Sequence, residues 1–195
     1  MFDPTGPVLG IDPGVSRCGY GAVAGRGAGS RGSDCEAVAF GVIRTSKDLP
    51  LPERLGRLQT ELEALIDEVR PSAVAVERVL FQVNVRTAMS VGQASGLALA
   101  TAARAGIPVA QYSPNEVKLA VAGYGGAEKG AVQAMVVRLL RLSGPPGSPD
   151  AADALALALT HVWGAALHAT RDTAREPAAG YARAVAAALA KDAGR

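Results

Sequence analysis

Two features of the sequence predict an α/β domain built on a mixed five-stranded sheet with helices on both faces. Three β-prone runs follow one another closely with no helix between them, which favours an antiparallel meander. An amphipathic segment then leads into a fully apolar run, and the same alternation repeats, which makes parallel βαβ crossovers. The composition agrees: 195 residues, 49% hydrophobic and 19% charged, give one domain of ordinary size with a packed core.

Val8 to Asp12 reads as a short strand that delivers Asp12 into a Pro13-Gly14 turn. Gly19 to Ala24 and Ala37 to Arg44 read as the next two strands, joined by a Gly/Ser/Arg-rich connection over 25–33. Leu51, Leu55, Leu58, Leu62, Leu65, Ile66 and Val69 recur at helical spacing, and Pro71 ends that helix. Its other face holds Glu53, Glu61, Glu63, Asp67 and Glu68. Ala73-Val74-Ala75-Val76 is an apolar strand ending on Glu77. A helix from about Asn84 to Ala105, a strand from Val109 to Tyr112 and a helix from Asn115 to Ala122 follow. Beyond a glycine loop, a helix is predicted from Glu128 to Leu142, and the last from Ser148 to about Ala169. Residues 170–195 are Ala/Arg-rich without an apolar stripe and are expected to form a flexible tail beyond a domain of residues 1–169.

Several function classes are set aside at once. No run approaches the ~20 apolar residues of a membrane span, and the start lacks the pattern of a secretory leader, so a cytoplasmic protein is expected. Cys18 and Cys35 are too few for a disulfide framework and read as small buried residues. His161 and His168 stand seven apart with no cysteine nearby, so zinc is not expected, and both read as satisfied residues on a helix face.

The net charge is only +2, but it is segregated. Between residues 78 and 149, seven basic side chains face two acidic ones, Glu116 and Glu128. Such a distribution suits a polyanionic partner docking on one side, although a solvated face would look the same by charge alone.

Four carboxylates carry the chemistry. Asp12 and Glu77 each end a strand, and neighbouring parallel strands would bring both to the sheet edge where α/β proteins bind ligands. Ser148-Pro149-Asp150 has the form of a helix start, and Asp150 there would complement the helix dipole. Asp153 follows on the same face, inside an Ala/Leu run apolar nearly all round, with no basic residue within a turn to neutralise it. Burying it unpaired is costly, so the compensating charge has to come from outside the helix. A hard divalent cation, Mg²⁺ or Mn²⁺, is the economical candidate. Two such ions ~3.5–4 Å apart can activate water and stabilise the leaving oxygen of a phosphodiester. Asp12-Pro-Gly alone also fits the phosphate turn of an actin-like or sugar-kinase ATPase, a fold that needs a second domain for which 195 residues leave no room.

Leu80 and Phe81 lie just beyond Glu77, before Gln82 and Asn84, where an apolar pair would either wedge between bases or close the core. Lys118 and Lys129, two of four lysines, bracket the glycine loop within reach of phosphates. Ala88, Gly92 and Gly96 share one helix face, expected as a core contact or a dimer seam.

Taken together, Leu9-Gly-Ile-Asp-Pro-Gly14, Ala75-Val-Glu77, Glu128-Lys129 after a glycine loop, and Asp150-Ala-Ala-Asp-Ala-Leu155 resemble the RuvC family of bacterial Holliday junction resolvases over roughly residues 7–168. The resemblance implies a ribonuclease H-like fold and a homodimer that places two active sites on a four-way DNA junction and cuts it by paired, symmetric nicks. It implies metal-binding catalytic carboxylates at Asp12, Glu77, Asp150 and Asp153, and DNA contacts at Lys118 and Lys129. RuvA and RuvB are the implied partners, and a bacterial, nucleoid-associated setting the implied location. Some members place an aromatic wedge three residues after the glutamate, where this chain has Leu80 with Phe81 beside it. Other readings of the same residues are a related nuclease acting on an RNA–DNA hybrid and a non-catalytic junction-binding scaffold.

Overall fold

The computed structural model describes residues 6–25, 34–78 and 85–172, without side-chain detail at 85–87 and 165–172. The five expected strands form one sheet: β1 (Val8–Asp12), β2 (Arg17–Gly25), β3 (Cys35–Arg44), β4 (Ala73–Glu77) and β5 (Val109–Tyr112). Their order is β3-β2-β1-β4-β5. The first three form the antiparallel meander, while β4 and β5 join β1 in parallel.

Helices cover both faces. Helices α1 (Leu51–Val69) and α2 (Val85–Arg104) are the crossovers and pack on Leu9, Ile11, Val74 and Val76. Helices α3 (Pro114–Ala122), α4 (Lys129–Leu139) and α5 (Pro149–Asp172) cover the opposite face, over Val8, Ala73 and Ala75. The alternation of a strand explains this split, since odd and even residues point to opposite sides. It also assigns the carboxylates: Asp12 shares the face of Val8, and Glu77 that of Ala75, so both turn towards α5.

Glycines let α5 lie directly on the sheet. A Cβ at Gly10 would run into the Ala154 carbonyl, one at Gly19 into the Asp150 backbone, and one at Gly21 into Leu155. These three positions lack side chains because the helix backbone occupies their space, which lowers the start of α5 onto the end of β1.

Several boundaries differ from expectation for local reasons. Helix α3 starts at Pro114, because Ser113 and Glu116 form a reciprocal capping box. Helix α4 stops at Leu139 rather than Leu142: Arg141 takes a left-handed conformation (φ 51°) and the Leu142 amide donates back to the Val137 carbonyl. On α2, the core contact is made by Ala94, Ala98 and Ala102, all buried. The expected alternative of a core role for Gly92 and Gly96 is corrected, since both face open space. Cys18 and Cys35 are buried free thiols, as expected. Helix α5 runs to Asp172, three residues past the expected end of the domain; residues 173–195 lie outside the described residues, as do Leu80, Phe81, Gln82 and Asn84.

Candidate active site

Asp12 ends β1 and Glu77 ends the parallel neighbour β4, one step beyond the Ile11–Val76 pair. Their side chains open into a cleft of about 310 Å³ that Asp153, Lys118 and Lys129 also line. Pro114, Val117, Val132, Ala156 and Leu157 make its apolar walls. The sheet thus supplies two carboxylates, α5 a third, and α3 and α4 one lysine each.

The electrostatics report crowding. Asp12 is pushed up to about 7, first by burial and then by the charges of Glu77, Asp153 and Asp150. Glu77 is also raised, again mainly by burial and then by Asp153, although a hydrogen bond with Asp12 opposes the rise. Asp12 and Glu77 are thus held where ionising both calls for a compensating cation.

Part of that compensation is internal. Lys129 Nζ lies 2.5 Å from Asp153 Oδ2, so the compensating charge expected from outside the helix includes a lysine beside the divalent ion that the sequence suggests. The sequence hides this partner because it comes from α4, 24 residues earlier. Asp150 does not line the cleft. It sits at the first turn of α5, where Arg17 Nε donates to its Oδ2 at 2.6 Å and Ser148 Oγ at 3.0 Å. These bonds hold its carboxyl below the usual range, against the opposing effect of burial. Sequence reasoning misses Arg17 as a site residue, since nothing local links positions 17 and 150. The structure therefore brings Asp12, Glu77, Asp153, Lys118 and Lys129 together and leaves Asp150 beside them, held by Arg17.

The donor set suits a hard cation. It is all oxygen and all carboxylate, and burial with charge crowding raises the proton affinity of Asp12 and Glu77, which a divalent ion would relieve. Among the described residues no three His, Cys, Asp or Glu side chains are gathered at metal-ligating distance. A thiol nucleophile is out of the question at Cys18, which burial pushes up to about 12. His161 Nδ1 meets the Tyr112 hydroxyl at 2.9 Å, in keeping with a packing role; the side chain of His168 lies outside the described residues. No helix among the described residues is long and apolar enough to cross a membrane.

Comparison with known proteins decides what this cleft belongs to. The family model for "Crossover junction endodeoxyribonuclease RuvC" matches residues 8–161. The chain belongs to the RuvC family. The RuvC of Salinispora arenicola is 57% identical over 156 residues, which span 80% of this chain and 87% of that one. The RuvC of a Nocardioides species is 51% identical over 167 residues, spanning 86% and 92%. Among solved structures, Thermus thermophilus RuvC in complex with Holliday junction substrate superposes with a TM-score of 0.77 at 40% identity, over 83% of this chain and 96% of that one. The yeast mitochondrial Holliday junction resolvase Ydc2 shares the fold alone, with a TM-score of 0.59 at 18% identity. The fold is thus the ribonuclease H-like mixed sheet of RuvC, and RuvC membership implies dependence on a divalent metal ion. It also removes the ATPase reading of Asp12-Pro-Gly.

Proposed function

We propose that this chain resolves four-way DNA junctions by paired, symmetric nicks, each made by metal-dependent hydrolysis of a phosphodiester. The observation that carries the reading is the cleft where Asp12, Glu77 and Asp153 meet Lys118 and Lys129 at the carboxyl edge of the sheet. A phosphodiester backbone needs cations to draw it in, and the carboxylates need cations to tolerate one another; this cleft has both requirements side by side.

Asp12, Glu77, Asp150 and Asp153 are the residues that would hold two Mg²⁺ or Mn²⁺ ions. When bound, such ions supply a more acidic water and charge stabilisation for the departing 3′-oxygen. Asp12 and Glu77 orient that water from the rigid ends of two central strands. Lys118 projects into the cleft from α3 and pairs with backbone phosphate, as does Lys129 once it leaves Asp153. The acidic residues of α1 lie on the opposite face of the sheet from the cleft, away from Lys118 and Lys129.

A second copy of the chain completes the assembly. The face of α2 that carries Gly92 and Gly96 is open, and Met89 beside it is 60% exposed, which supports this face as the seam of a homodimer. Leu80 or Phe81 would then wedge the junction at its crossover, and RuvA and RuvB would present it. Residues 1–169 are the nuclease domain in this reading, with 170–195 a basic tail, and the protein works in the bacterial cytoplasm at the nucleoid. The test is a four-way junction incubated with Mg²⁺: the parent nicks it in pairs, and Asp12→Asn binds it but cuts orders of magnitude more slowly. Near-normal cutting by the variant would remove the carboxylate mechanism.

A further inference from the structure

Arg17 is the first residue of β2, and the short Pro13–Ser16 turn returns it to the end of the sheet where Asp12 sits. From there its guanidinium reaches the start of α5, 131 to 133 residues away in the chain. Nε donates to Asp150 Oδ2 at 2.6 Å, and one Nη donates to Ser148 Oγ at 2.7 Å while lying 2.6 Å from the same Oδ2. Ser148 Oγ in turn donates to Oδ2 at 3.0 Å. One carboxylate oxygen thus takes the guanidinium fork and a hydroxyl together. The guanidinium is a rigid, permanently charged donor, so it fixes direction as well as charge.

The consequence lies in where Asp150 is left. Asp12, Glu77 and Asp153 line the cleft and Asp150 does not. We propose that Arg17 is a positioning residue that acts through Asp150, as a latch: it holds this carboxylate drawn aside until a divalent ion takes the place of the guanidinium. This rests on the reading of the four carboxylates as a metal centre. Coordination by Asp150 then requires Oδ2 to surrender its Arg17 partner, so the latch weakens ion binding at this corner. In return it gives Asp150 a cationic partner in the metal-free protein, as Lys129 does for Asp153.

The pair is partly open to solvent, with Arg17 45% and Asp150 26% exposed, so the exchange is modest in size. The test is Mn²⁺ binding to the full chain at pH 8, followed by calorimetry and by the loss of the free Mn²⁺ spin-resonance signal, with no DNA present. Arg17→Ala should bind Mn²⁺ about twofold to fivefold more tightly than the parent, as expected for removing one partly exposed ion pair. Arg17→Lys keeps the charge, loses the fork, and should fall between the two; it also serves if the alanine variant is poorly folded. In an Asp150→Asn background, Arg17→Ala should change nothing, because the latch has no carboxylate to hold. Unchanged or weaker Mn²⁺ binding in both Arg17 variants would overturn the latch while leaving the metal centre standing. A parent that binds no Mn²⁺ would remove the metal centre and the latch with it.

Discussion

Replacing Asp12 by asparagine separates the shape of the active site from its charge. The amide has the volume of the carboxyl and still hydrogen-bonds Glu77, but it never ionises. Asp12 ordinarily titrates at 3.8 and stands at about 7 in the fold, so the folded protein holds this proton more tightly than the unfolded chain. The stability that the neutral acid contributes is therefore full below about pH 4 and lost as the pH rises through 7. Ionising Asp12 without metal costs the fold on the order of 2–4 kcal/mol by pH 8.5, the upper value following from the whole displacement and the lower from relaxation of the cleft. The asparagine variant escapes that cost. In EDTA at pH 8.5, Asp12→Asn should melt on the order of 5–15 °C above the parent, at a few degrees per kcal/mol for a chain of this size. The gap should close as the pH falls through 7 towards 4. Calorimetric melts of both proteins from pH 4.5 to 8.5 make the comparison. Coincident melts at pH 8.5, or a gap that widens towards acid, would refute the account of a crowded, cation-hungry cleft.

Lys129→Met removes the partner of Asp153 from a half-exposed pair and should move the melting temperature by only a few degrees. Junction binding should weaken, its logarithmic salt dependence should become shallower by about one, and cleavage should fall at least tenfold, as read by filter binding and gel assays. Gly10→Ala drives a methyl group into the Ala154 carbonyl beneath α5. It should cost about 3 kcal/mol or more in urea unfolding, because backbone has to move to admit it. Tyr112→Phe deletes the hydroxyl that meets His161 and should cost about 1 kcal/mol with junction cleavage unchanged.

The features that the sequence makes legible are those written locally. Asp12 and Glu77 are visible because a strand end is a short-range pattern, and alternation along each strand then fixes which face they share. Asp150 and Asp153 are visible because i and i+3 share a helix face. The mixed sheet follows from a meander and two crossovers, but its order does not, since β4 passes over to lie beside β1 instead of its chain neighbour β3. What stays hidden depends on contacts between distant segments. Gly10, Gly19 and Gly21 read as ordinary strand glycines until α5, more than 120 residues later, lies down on them. Arg17 has no partner near it in sequence, and neither has Asp153, whose lysine arrives from another helix. The inner face of α2 escapes the sequence because Ala94, Ala98 and Ala102 have the same spacing as Ala88, Gly92 and Gly96, and periodicity cannot say which stripe faces inward. The capping box at Ser113 and Glu116 is a local pattern that the reading of a helix from Asn115 passed over, while the left-handed Arg141 that ends α4 carries no signal, since arginine seldom takes that conformation.

Cleavage of a labelled synthetic four-way junction tests the central claim most directly, with linear duplex as control, Mg²⁺ and Mn²⁺ tried separately, and Asp12→Asn beside the parent. The account predicts paired nicks in the junction alone, in the presence of metal, and none from the variant. Equal cutting of the duplex, or an uncut junction with both metals despite tight binding, would contradict it.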